Sequence, residues 1–407
     1  MEVLQEPRQE VNLTAAPSPF RYVSVDAFRA VTLLLMIFVN DFGTLRDIPE
    51  WLKHTEANED GMGFSDVIFP AFLFIVGLSV PLAVQTRLKS GSMTGTAGHI
   101  LLRSLALLIM GVYHVNLGNY SREALLSRPA WEILITISFF LIWLDYPKDG
   151  NPKKRRLLQA LGMVLLILMG ALYQGNSAGG AIWMRPQWWG ILGLIGWSYL
   201  LGSLIFLWSG GKFYVQIAAF LFFMGFNAAT HSGALNFLDG VKEYVWIVGD
   251  GSMPAMVMAG IITIQIYRKW STQRFGHFFL YACIAFSLLL VYGFLTRPVW
   301  EISKIRATPS WTAICTGISI LSFAVLAYIT DVKGRIRWYD LIKPAGISTL
   351  TCYLLPYIHD ALISLMPMRL PLILRTGPVG LVKSLLFSLL IIGLAGLLQK
   401  RRIRLKL

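Results

Sequence analysis

Charge is scarce in this chain. Asp, Glu, Lys and Arg make up 14% of its 407 residues, against about 25% in an ordinary soluble domain. That is too little polar side chain to cover a water-soluble globule of this length. Cysteine is scarce as well. Cys283, Cys315 and Cys352 all lie inside apolar runs, without the paired spacing of a disulfide framework or metal cluster, and packing is the role this suggests. The HExxH, CxxC, Walker and dinucleotide-binding patterns are all missing, so no metal, ATP or NAD is expected. Residues 1–20, polar and acidic with Pro7, Pro17 and Pro19, lack the apolar core of a secretory signal. No stretch between the apolar runs has room for a soluble domain. The organisation expected is a polar arm, 1–20, and one membrane domain, 21–407.

What the chain does have is apolar length. Hydrophobic residues reach 55% and the mean hydropathy is +0.60. They fall into runs of roughly 16 to 22 residues, the length that crosses a bilayer core at 1.5 Å per residue. Twelve spans are predicted, at 28–43, 67–84, 101–117, 130–145, 157–174, 188–207, 213–230, 250–267, 277–295, 310–330, 346–364 and 377–398. The fourth is the weakest, since it contains Glu132, and without it the count is eleven. Trp131 and Trp143 at its ends suit interfacial anchors. The fold class is therefore all-α, a polytopic helical bundle. With both termini cytoplasmic, 24 of the 36 basic residues fall on the inner side, as the positive-inside rule requires. The same asymmetry accounts for the net charge of +14 through a lipid bilayer as partner, with no nucleic acid. Glycines 190, 193, 196 and 202 suggest close helix packing and permit a homodimer.

Polar groups at membrane depth are costly, and they are where a site is to be sought. Asp26 and Arg29 lie three apart on the first span and can pair, either shaping a cytoplasmic entrance or bracing the interface. The outer end of that span carries Asn40 and Asp41. His54 follows in the loop and Asp66 opens the second span. A histidine there can take a proton from an attacking amine or accept an acyl group. Asp41 or Asp66 can fix its tautomer, although Asp66 suits a helix cap equally well. Further polar clusters occur on the same side: Asn227, Thr230 and His231, Asp250 and Ser252, and His359 and Asp360. Trp51, Trp246 and Trp311 can offer a face to a sugar or form an interfacial belt. His99, His114 and His277 have no acidic neighbour at useful spacing, and structural roles are expected for them.

The segment RYVSVDAFRA…MIFVNDFG…LKHTEANEDGMGFSDVIFPAFLFIVGLS, over 21–84, resembles the heparan-α-glucosaminide N-acetyltransferase family. Its bacterial relatives include proteins labelled as N-acetylglucosamine-related transporters. Weaker likeness runs through WWGILGLIGWSYL (188–200), ISKIRATPSW (302–311) and TLTCYLLPY (349–357). Ala30 replaces the glycine that usually ends the SVDxFRG motif. The resemblance implies a membrane enzyme that carries acetyl from cytosolic acetyl-CoA to an amino-sugar acceptor on the opposite face. The family's active-site histidine falls on His54 and its neighbouring asparagine on Asn40. Such a reaction requires a cavity through much of the roughly 30 Å hydrocarbon core. Its inner mouth should be basic for the donor phosphates, with Arg21, Arg29, Arg87 and Arg103 as candidates beside Asp26. Asp41, Asp250 and His359 are candidates for acceptor binding. The location implied is a bacterial inner membrane. The competing class is a permease for amino sugars or cell-wall fragments, to which twelve spans are also suited.

Overall fold

Each of the twelve apolar runs forms a helix. In the computed structural model, residues 22–147, 149–177, 180–188, 190–242, 250–270, 274–366 and 370–407 are described. The principal helices are α1 Val23–Phe42, α2 Ser65–Ser90, α3 Met93–Asn116, α4 Arg128–Trp143, α5 Pro152–Ala171 and α6 Ile191–Trp208. They continue with α7 Phe213–His231, α8 Ser252–Trp270, α9 Phe275–Trp300, α10 Pro309–Ala327, α11 Thr349–Leu365 and α12 Gly377–Lys400. Local chemistry sets several starts. Ser92 caps α3 by accepting from the Gly95 N–H at 3.1 Å, and Asn151 caps α5 by accepting from Lys153 N–H at 2.9 Å. Pro152 and Pro309 occupy the first helical position, where no donor is needed.

Among the described residues, eight helices are long and apolar enough to cross a membrane: α1, α2, α3, α6, α7, α9, α10 and α12. The protein is a multi-pass membrane protein. Helices α4 and α11 are shorter, and α5 opens on the basic run 153–156. Some predicted spans stop short of the helices they mark, and others, such as 130–145 and 157–174, run two or three residues past them. Helix α1 begins at Val23 and α2 runs on to Ser90, because hydrogen bonding continues past the apolar stretch. The eleventh run is broken at Ser348, between a short turn Lys343–Ile347 and α11. A small antiparallel hairpin, β1 Gly175–Ser177 with β2 Gly180–Ile182, is an addition to the all-helical expectation.

Helix α2 lies inside the bundle, packed on α1, α6, α8 and α10. Glycine permits its closest crossing. A Cβ on Gly77 would meet the Val257 carbonyl at 2.0 Å, and one on Gly260 would meet the Phe74 carbonyl at 2.1 Å. The glycines of α6 serve the same purpose within the chain, Gly193 lying against Gly111 of α3. The start of α1 is held from afar. Asp331, beyond α10, accepts the Ser24 backbone N–H at 3.0 Å, the Ser24 hydroxyl at 2.6 Å and the Tyr267 hydroxyl at 2.7 Å. One carboxylate thus satisfies a donor that α1 cannot pair internally.

Candidate functional site

Two features share α1 and α2. The first is a cavity of about 770 Å³ lined by both helices together with α3, α6, α11, the 343–347 turn and the C-terminal residues Leu405 and Leu407. Its lining runs from Tyr22 to Met36 on α1 and from Arg87 back to Phe72 on α2. At 1.5 Å per residue that is roughly 21 Å, most of a hydrocarbon core. Asp26, Arg29, Arg87 and Arg103 all line it, so four of the five expected mouth residues meet there. The fifth, Arg21, lies outside the described residues.

Arg29 is a brace. It donates to Asp26 Oδ1 at 3.2 Å, the Gly346 carbonyl at 3.0 Å and Ser79 Oγ at 2.7 Å, tying α1 to α2 and to the 343–347 turn. Arg103 is disposed differently. Its guanidinium sits 4.8 Å from the centre of the Tyr199 ring, and its Nε is buried without a hydrogen-bond partner.

The second feature is the loop joining α1 to α2. Asp66 stands in the first turn of α2 with its side chain 1% exposed. Its Oδ1 lies 2.6 Å from His54 Nδ1, and its Oδ2 accepts the backbone N–H of Thr55 at 3.1 Å and of Gly63 at 2.9 Å. The carboxylate therefore shapes the loop and does not cap α2, whose N-cap position, Phe64, has no side-chain cap. Below it the Trp311 indole donates to the Asp66 carbonyl at 3.2 Å. Trp311 is fully buried, so it offers a face neither to a sugar nor to an interfacial belt, the two roles the sequence left open. Trp51 is exposed, and Trp246 lies outside the described residues.

A residue that the sequence did not single out completes this site. Lys304, between α9 and α10, places Nζ 3.1 Å from His54 Nδ1, 3.5 Å from His54 Nε2 and 3.8 Å from Asp66 Oδ1. Burial holds its amine below the ordinary lysine value, outweighing the attraction of Asp66. Its loop is carefully fastened. Asp60 accepts from the Ile302 N–H at 2.8 Å and from Arg297 Nε at 2.9 Å. The Ile302 hydrogen bond and Arg297 together hold the Asp60 carboxyl below its usual range against the effect of burial. Asn227 donates to the Ala307 carbonyl at 2.9 Å, and His231 Nε2 lies 2.8 Å from the Arg306 carbonyl. Glu301 and Ala307, on either side of Lys304, adopt φ of 57° and 52°, a left-handed conformation costly for side chains with a Cβ. The only hint in sequence was the ISKIRATPSW segment.

Other candidates stand apart. Asn40 is exposed near the end of α1, and among the described residues it has no hydrogen bond to His54. Asp41 pairs instead with Lys383 of α12 at 2.5 Å. The Asp250 carbonyl accepts from Asn227 at 2.7 Å, and His359 Nδ1 pairs with the adjacent Asp360 at 2.8 Å. Asp41 and His359 thus both lie against α12, through Lys383 and through Phe387 one turn further on, while Asp250 is held by Asn227 of α7. His277 lies 6.1 Å from the Trp270 ring, and His114 stacks on Tyr357 at 4.2 Å.

Comparison with known proteins adds a family and two relatives. A family model described as a domain of unknown function, DUF5009, matches residues 21–247, more than half of the chain. The chain is 39% identical over 106 residues to the heparan-alpha-glucosaminide N-acetyltransferase of Homo sapiens, and 38% identical over 105 residues to that of Mus musculus. These matches cover 26% and 25% of this chain and 15% of each relative.

Proposed function

This chain belongs to the DUF5009 family, and on that footing we propose that it is a membrane N-acetyltransferase. It moves acetyl from acetyl-CoA, entering at the Arg87 and Arg103 end, to a glucosamine-type amino sugar at the His54 end. The observation that supports this reading is that the cavity and the His54–Asp66 pair share α1 and α2. The cavity lining ends at Met36 and Phe72, four residues short of Asn40 and six short of Asp66, or roughly 6 and 9 Å of helix rise. The names of the mammalian relatives support the reaction class.

Twelve crossings with both termini cytoplasmic fit the basic residues and put His54 on the outer face, in a bacterial cell the outer side of the inner membrane. There Asp66 accepts the Nδ1–H of His54 and leaves Nε2 with its lone pair to take the proton of the attacking amine. Lys304 Nζ is the cation placed to steady charge growing on the acetyl oxygen, the part that resemblance would give to Asn40. Arg87 and Arg103 at the mouth suit the phosphates of acetyl-CoA, and the apolar depth suits its thioester arm.

Purified protein in detergent, given acetyl-CoA and glucosamine, should release CoA thiol and form the amide. His54→Ala should abolish both. Thiol release that survives in His54→Ala, or no reaction across a panel of amino sugars, overturns the reading. Rapid quenching without acceptor tells direct attack from an acetyl-histidine route, which alone leaves acetyl on the protein.

A further inference from the structure

A line of hydroxyl groups leaves the deep end of the cavity along α11. Arg29 meets the Gly346 carbonyl; Met36 lies seven residues beyond Arg29 on α1, about 10 Å deeper, and Tyr353 stands one turn into α11, past the break at Ser348. Both line the cavity, in company with Phe72, Ile191 and Leu192. Tyr353 is the hydroxyl-bearing residue among these apolar neighbours and is only 9% exposed. Its Oη lies 3.0 Å from the Oη of Tyr357.

Tyr357 in turn faces a buried polar neighbourhood. Its ring stacks on His114 with an interplanar angle of 15°, and both His114 ring nitrogens are buried without a partner. Tyr353, Tyr357 and Asp360 follow one another at helical spacing on one face of α11, and Asp360 is exposed. The face of α11 that begins with Tyr353 at the bottom of the cavity therefore ends at the surface with Asp360. Packing alone asks only for apolar residues at this depth, and polar groups there are costly to keep.

We propose that Tyr353 is the general acid of the transfer and that Tyr357 resupplies it. The inference rests on the acetyltransferase reading. Tyr353 gives its Oη proton to the donor sulfur as the carbon–sulfur bond breaks and the bonding electron pair returns to sulfur. The Tyr357 hydroxyl then returns a proton to Tyr353 and is itself refilled from the Asp360 end. Two protons leave the acceptor ammonium nitrogen at His54 while the new carbon–nitrogen bond forms. One proton reaches sulfur through the tyrosines, so that one is released to solvent.

The test uses the full chain in detergent and two acetyl donors. Tyr353→Phe should lower kcat with acetyl-CoA by about 100-fold, with KM unchanged. With nitrophenyl thioacetate, whose thiolate leaves without a proton, it should match the wild type. Tyr357→Phe, which keeps Tyr353 and cuts its supply, should show a smaller loss, rescued in the same way. Binding gives a readout without turnover. The wild type should hold CoA about tenfold more tightly than desulfo-CoA, and Tyr353→Phe should hold the two equally. An equal loss on both donors, or a preference for CoA that survives in Tyr353→Phe, overturns the proposal. A wild type that transfers acetyl from neither donor overturns the acetyltransferase reading itself.

Discussion

His54 Nδ1 and Asp66 Oδ1 stand 2.6 Å apart, and the other oxygen of the same carboxylate is held by the Thr55 and Gly63 N–H groups. Asp66 is thereby fixed by the loop that it orients. Asp66→Asn keeps the shape but loses the obligate acceptor, so the imidazole is no longer held as the Nδ1–H tautomer. We expect acetyl transfer to fall by about 100-fold, mostly in kcat. Steady-state kinetics of thiol release will show it, and unchanged kcat in a folded variant would remove Asp66 from the mechanism.

Part of this site was legible in the sequence, and the limits are physical. Apolar runs mark helices because a bilayer rewards only that pattern, and all twelve marked runs are helical. The twelve-residue step from His54 to Asp66 is local, so both appeared as candidates together. Asp41 looked equally suitable, but its partner Lys383 lies 342 positions away, where no local pattern reports it. Lys304 is 250 positions from His54, and its loop is held by Asp60 and by Asn227 and His231 of α7, on two separate segments. The cavity is the space that several packed segments leave unfilled, and no single segment encodes it.

Gly63 is required by the same loop. A Cβ there would stand 1.9 Å from the Lys53 carbonyl oxygen, and the backbone of one strand of the loop must move. Gly63→Ala should cost about 1–3 kcal/mol and displace His54 from Asp66. Limited proteolysis between 50 and 64 should become faster, and transfer should drop in parallel. A variant as resistant as the wild type would show that the loop can absorb the methyl group.

Lys304 gives a prediction in pH. Burial places its folded pKa below the ordinary 10.5. Between that lowered value and 10.5 the unfolded chain binds more protons than the folded one, so stability rises with pH across the window. Lys304→Met lacks this contribution. The Tm of the variant minus that of the wild type should be greatest near neutral pH and decline towards pH 10.5. Thermal melts in detergent across that range will decide, and a difference independent of pH would mean that the amine titrates as if in water.

Arg103 is the cation at the mouth whose geometry most needs a ligand. Its guanidinium covers the Tyr199 ring, its Nε is unpaired in the interior, and it borders both the large cavity and an adjoining one of about 350 Å³. A planar, permanently charged fork stacked in this way is prearranged for an anionic oxygen. Arg103→Ala should weaken CoA binding by about tenfold and raise KM for acetyl-CoA while kcat stays near the wild-type value. Arg103→Lys should recover only part, since an ammonium keeps the charge and loses the fork. Calorimetric titration of CoA at low and high ionic strength separates charge from shape. Salt should weaken the wild type and Arg103→Lys more than Arg103→Ala. Equal salt dependence in all three would mean that Arg103 faces no phosphate and supports the cavity only through its contact with Tyr199.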